Sequence, residues 1–220
     1  MNLAISLLTL LHLLIPIYWL GGDLGAFYCG GVLRDSSRPD AERLAALKVL
    51  LAVDMSPRTA LILTLPTGFT LAWAKGWLAV PSLAVLSVWL VGLGWLALAW
   101  AVHLRHGPAG AQLKRIDLVV RYVVLVGLIG AAMAGLTGAF ALPLFICLKL
   151  IALSTCIMLG LLIRHQLTPL FPAIAQMRSG GATADSDLAI AGVIAKTRPT
   201  VITLWAVILV ASFLGIATPV

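Results

Sequence analysis

Four ionisable residues stand inside long apolar runs of this chain: His12, Asp23, Arg121 and Lys149. A charge held in hydrocarbon costs about 2.5–3.5 kcal/mol on the insertion scale, so such residues face a bundle interior or a wet cavity and mark candidate sites. A neutral imidazole ligates iron or acts as a base, and it also serves as a plain hydrogen-bonded packing residue; His12 is open to all three uses. Lys149 can act as charge partner or proton-transfer group. Asp23 is expected to form a structural ion pair with Arg121 or Arg58, since opposite charges at one level offset each other's desolvation.

The elements that position these residues follow from composition. Of 220 residues, 61% are hydrophobic and 10% charged, with a mean hydropathy of +1.08. Soluble domains lie nearer ~45–50% apolar and ~25% charged, so this is a membrane protein. Its fold class is all-α, a polytopic bundle of about six transmembrane helices, because each span needs ~20 apolar residues and little chain is left over. The apolar runs are continuous and too long for barrel strands, which alternate over about ten residues. Lys and Arg number 15 against 8 acids, a net +7 that reports loop bias in such a protein and implies no nucleic acid. Cys29, Cys147 and Cys156 are odd in number and unclustered, which suits apolar fillers. Met1 to Ile17 lacks a basic leader and a cleavage site, so it is expected to be a retained first helix.

The chain is expected to form a single transmembrane domain over 1–220, with spans at 3–32, 57–74, 81–104, 116–140, 142–164 and 198–217. Interfacial segments are expected at 40–53 and 168–178. Ser56 and Pro57 are expected to open the second span as N-cap and first residue. Ser179 to Asp187 is expected to be a flexible loop, with helix resuming near Leu188 and running through Pro199. Basic residues concentrate in the first, third and fifth connections, while the second holds Lys75 alone and the fourth none. The positive-inside rule then places both termini periplasmic in a bacterial-type inner membrane.

Helical spacing gathers His12, Pro16, Trp19, Asp23 and Gly30 into one stripe. Lys149, Ala152, Cys156 and Gly160 share a second, and Arg121 lines up with Leu125, Leu128, Ala132 and Gly135. At 1.5 Å per residue, His12 and Lys149 each lie ~10–14 Å into the outer half, where they can meet. His103, His106 and His165 fall at the cytoplasmic ends, so a haem on His12 needs another ligand, an open position or a second subunit. His103 and His106 at i, i+3 suit snorkelling to lipid phosphates better than metal binding. The scattered methionines disfavour copper, and no P-loop, dinucleotide fingerprint or HExxH stands in the chain.

Several segments resemble the CopD/HemJ superfamily of small polytopic membrane proteins. Leu11-His12 followed by Trp19 and Gly21-Gly22 resembles its first helix, and Asp54-Met-Ser-Pro57 through Leu63-Thr-Leu-Pro-Thr-Gly68 its second. Cys147-Leu-Lys149-Leu is similar to its later Lys-Leu helix, which here ends at Arg164-His165, and Arg198-Pro199 to the opening of its last. The chain has Lys196-Thr197-Arg198 where HemJ-type proteins tend to carry an Asn-Glu pair. The resemblance implies a haem b or porphyrin site with His12 and Lys149 as the functional pair, Trp19 beside it and His12 as ligand to the haem iron. It further implies a protoporphyrinogen oxidase-like enzyme that passes electrons to a quinone. Competing readings are a CopD-like metal or solute transporter and a non-catalytic subunit of a membrane complex or homo-oligomer. A reporter fused after Val220 should read as external; a cytoplasmic reading there would overturn the shared depth assigned to His12 and Lys149.

Overall fold

A computed structural model describes residues 3–105 and 107–218; His106 lies outside them. The described residues form eight helices: α1 Leu3–Leu33, α2 Asp40–Val53, α3 Met55–Ala74, α4 Ser82–Leu104, α5 Gly107–Leu136, α6 Leu144–Gln166, α7 Leu170–Gly180 and α8 Ala184–Ala217. Five of them, α1, α4, α5, α6 and α8, are long and apolar enough to cross a membrane. The shorter α3 carries Thr59, Thr64, Thr67, Thr70 and Arg58 and runs antiparallel along α1 within the bundle. One end of this pair is marked by Ser56, whose hydroxyl donates to the Tyr18 carbonyl at 2.7 Å, and the other by Thr67 against His12. The two helices cross so closely at the first point that a Cβ on Gly22 would lie 2.5 Å from that of Ser56.

One apolar core runs through the bundle, with Trp19 of α1, Ile62 of α3, Trp95 of α4, Leu128 of α5, Ile157 of α6 and Leu204 of α8. Outward residues such as Leu7, Ile17, Leu90, Val126 and Phe213 are exposed, as a lipid-facing surface requires. A second core lies at the basic end, where Leu33 of α1, Leu47 of α2, Ile174 and Met177 of α7, and Ile190 and Ile194 of α8 pack together. The amphipathic segments read from the sequence at 40–53 and 168–178 are thus α2 and α7, each folded onto the bundle through its apolar face.

Three boundaries differ from the sequence expectation. The residues expected to form a flexible loop, Ser179 to Asp187, are mostly helical. Gly181, at φ +83, terminates α7, and two residues later a capping box closes the first turn of α8, Thr183 and Ser186 exchanging side chain to backbone hydrogen bonds. That cap satisfies amides that would otherwise be orphaned, so α8 begins well before Leu188 and is about 51 Å long. Second, α5 starts at Gly107 rather than near Ile116, since the positive φ of Gly107 (+77) turns the chain and Pro108 is tolerated in a first helical turn. Third, Ser56 is not an N-cap. Only Asp54 separates α2 from α3, itself near helical dihedrals, and this leaves Ser56 inside the helix and its hydroxyl free to bond across to α1.

The basic end is locked by Arg43, which is 0% exposed. Its Nε donates to the Leu33 carbonyl at 2.9 Å, and its guanidinium pairs with Asp187 at 2.7 Å and Asp40 at 3.5 Å. Asp40 in turn accepts from the Ala182 amide at 2.8 Å. In the turn after α1, hydrogen bonds from the Ser37 side chain and amide, joined by Arg38, hold the Asp35 carboxyl below its ordinary pKa. Arg43→Ala would leave the Leu33 carbonyl and the Asp187 carboxylate without their donor while Asp40 keeps the Ala182 amide; because both carboxylates stay partly exposed, the expected loss is about 2–4 kcal/mol, measurable as a lowered unfolding midpoint in detergent.

Candidate functional site

The stripe read from α1 faces protein: Trp19 and Gly30 are buried, His12, Pro16 and Asp23 half-buried, while Leu7, Leu14, Ile17 and Tyr18 are exposed. Arg121 likewise sits on the buried face of α5 with Leu128 and Ala132, and Lys149 on that of α6 with Ala152 and Cys156. Spacing of 3.6 residues per turn therefore placed every one of these residues on the correct side.

His12 is held by α3. Its Nδ1 lies 2.9 Å from Thr67 Oγ1, and that hydroxyl gives its only proton to the Leu63 carbonyl at 2.7 Å. With Nδ1 engaged by this hydroxyl, Nε2 is the ring nitrogen that makes no hydrogen bond among the described residues. The ring also rests against α3 at Gly68, where a Cβ would lie 3.1 Å from Cε1. Fixing one ring nitrogen by a hydrogen bond is what orients a histidine as ligand or base through the other.

Lys149 enters the same level from α6. Its Nζ abuts α8 so closely that a Cβ on Gly215 would lie 2.7 Å from it, and it lies within electrostatic range of His12 and of Lys75. Lys75 is placed over the Trp77 ring at 4.8 Å, and Trp77 meets Phe145 of α6 edge to face at 5.0 Å. No hydrogen bond or ion pair engages Lys149 among the described residues. Every Asp and Glu of the chain lies at the level of Asp23 or nearer the basic end. Lys149 and Lys75, beside the His12 imidazole, therefore make up a cationic region without a carboxylate of its own among the described residues.

The charges nearer the basic end pair differently from the expectation for Asp23, Arg121 and Arg58. Arg121 Nε donates to Asp117 at 3.0 Å, one turn away on α5, and Arg164 reaches the same carboxylate from α6 at 3.1 Å. Trp95 of α4 donates its indole N–H to Asp117 at 3.1 Å. Arg58 pairs with Asp54, the residue that precedes its helix, at i, i+4. Asp23 instead accepts from the Trp205 indole of α8 at 3.3 Å, with the buried Trp19 indole one turn away on its own helix. The correction has a local cause: pairs at i, i+4 are side-chain neighbours at no cost in tertiary closure, and both arginines have such an aspartate. Asp117 was overlooked because it stood at the edge of the span expected from Ile116; its spacing to Arg121 was the available signal. Thr67 had no comparable signal, since one threonine among four in α3 is marked only by what crosses it.

His103 and His165 end α4 and α6 at the basic end, far along the helix axes from His12. Among the described residues no three His, Cys, Asp or Glu side chains converge as a metal-binding group, and Cys29, Cys147 and Cys156 are free thiols. What this level offers among the described residues is one held imidazole whose Nε2 makes no hydrogen bond, next to an ammonium without an ion pair. No family model, no curated protein and no solved structure matches this chain.

Asp117→Asn would leave two guanidiniums sharing a neutral amide and should lower stability by about 2–4 kcal/mol, discounted for the partly exposed Arg164. Asp23→Asn keeps an acceptor for Trp205 and should cost less than about 1 kcal/mol. Thermal unfolding of the two variants in one detergent tests the pairing, and the reverse order would contradict it.

Proposed function

We propose that this integral membrane protein is a haem- or porphyrin-binding redox protein of the CopD/HemJ type, set in a bacterial-type inner membrane with both termini periplasmic. The observation that carries the reading is the outer level itself: His12 with its Nδ1 engaged by Thr67 and its Nε2 available, beside a lysine that makes no ion pair among the described residues. The residues fit such a group. His12 Nε2 would ligate the iron, Lys149 would pair with the porphyrin carboxylates, and Trp19 would be an apolar wall lower on the same stripe. When bound, haem b supplies reversible one-electron transfer.

The residues of the chain have separable tasks in this reading. Thr67 holds the His12 ring at Nδ1, so that Nε2 stays a donor of electrons rather than of a hydrogen bond. Lys149, held at the α6 and α8 contact, carries positive charge to an anionic amphiphile and is placed to take up or release a proton at Nζ. The surrounding apolar helices exclude water and strengthen both interactions. With a porphyrinogen as substrate, each desaturation removes an electron pair and two protons, and one membrane quinone leaves as quinol. Orientation follows from the concentration of Arg and Lys at the other end of the bundle, which suits the cytoplasmic face.

The test is an absorbance spectrum of detergent-purified protein, oxidised and reduced with dithionite, next to His12→Ala and Lys149→Ala at matched expression. A Soret band in the wild type that disappears in His12→Ala and weakens in Lys149→Ala is the expected result, and it would justify a porphyrinogen oxidation assay. A folded wild type that stays colourless after haem supplementation would remove the reading and leave transport or an assembly role as the alternatives.

A further inference from the structure

Lys75 has no task in the haem reading, yet it is the second ammonium at the level of His12 and Lys149. It stands at the C-cap of α3 and is exposed, with its Nζ 4.8 Å from the centroid of the Trp77 ring. Trp77 packs edge to face on Phe145 of α6 at 5.0 Å, and Phe145 is buried. Phe145 and Lys149 are four residues apart on α6, which makes them neighbours on one face of that helix. An aromatic shelf of Trp77 and Phe145 therefore joins the two ammoniums, Lys75 at the rim of the bundle and Lys149 about one turn deeper. The charge of Lys75 bears on Lys149, and neither lysine makes an ion pair among the described residues. Water at the rim solvates Lys75, but its field adds to the cost of the cation held below it. A single carboxylate on Lys149 would leave Lys75 uncompensated, whereas an anion that meets both lysines removes the repulsion.

We propose, on the premise that a porphyrin occupies this level, that Lys75 is its second carboxylate-binding residue and that the site selects a dianion. A porphyrin of the haem b class bears two carboxylates along one edge, one for each lysine. Lys149 would take the deeper carboxylate and Lys75 the one nearer water. Selectivity follows from this division: a porphyrin with both acids esterified keeps its iron and its apolar ring but loses what the two lysines recognise. A lipid phosphate resting on Lys75 is the other way to satisfy that charge, and it would make Lys75 indifferent to the porphyrin's carboxyl groups.

Soret absorbance titrations of the full chain in detergent, with haem b and with haem b dimethyl ester, test the assignment. The wild type should bind the free acid about tenfold more tightly than the diester. Lys75→Gln should weaken binding of the free acid about fivefold and leave the diester unchanged. Lys75→Arg, which keeps the charge over the Trp77 ring, should bind the free acid as the wild type does, and Lys114→Gln, on α5 at the basic end, should change neither titration. Equal affinity of the wild type for the two forms, equal affinity of wild type and Lys75→Gln for the free acid, or the same loss toward both forms in Lys75→Gln would overturn the assignment while leaving haem on His12 in place. A wild type that takes up neither form would remove the haem reading and this one together.

Discussion

Asp117 is the constraint around which the bundle is organised. Hydrocarbon offers no counter-ions, so a guanidinium placed there must find its anion in the protein. One carboxylate, 1% exposed, serves Arg121 of its own helix and Arg164 of α6 while also accepting from Trp95 of α4. Three helices are thereby fixed at one depth. The residue excess of positive charge is shed through Arg164, which is partly exposed and ends its helix near the headgroups, where water and phosphate can complete its solvation.

With the carboxylates spent at that level and beyond it, the other half of the bundle is left with cations and one imidazole. This segregation is what makes the level of His12 and Lys149 chemically open. His12 has its ring held at Nδ1 by Thr67, and Lys149 has a fixed location without an ion pair among the described residues. A charge arranged in this way has been moved out of water without its compensation. Such an arrangement is expected of a residue whose partner arrives with a ligand, and it is the reason the proposed function rests on this level and not on the well-paired one.

Much of this was legible in the sequence. Continuous apolar runs gave the helices, and the 3.6-residue period put His12, Trp19, Asp23, Arg121 and Lys149 on inward faces, because burial in a bundle is decided helix by helix. Depth also followed, since rise per residue is nearly constant, and it brought His12 and Lys149 to one level. Pairing did not follow. Depth alone matches Asp23 with Arg121 and Arg58, whereas each arginine has a nearer aspartate four residues before it in the chain. Helix starts were obscured for a similar reason: Thr183 and Ser186 build their cap from side chain to backbone bonds that composition does not display, so a Gly-, Ser- and Asp-rich stretch resembled a loop.

The second core carries a consequence for the order in which the molecule is completed. Its walls come from both ends of the chain: Leu33 and Leu47 from the first quarter, Ile190 and Ile194 from the last, with Arg43 bound to Asp187 across the seam. The first helices can enter the bilayer as soon as they are made, but α2 has only the end of α1 to close against, and the α8 wall of its core is complete only after about 140 further residues have left the ribosome. At 5–20 residues per second that interval is roughly 7–30 s. During it an apolar helix face and a guanidinium destined for burial lie open at the membrane surface, so the nascent chain depends longest on chaperones or lipid at the place where the finished protein is most tightly closed.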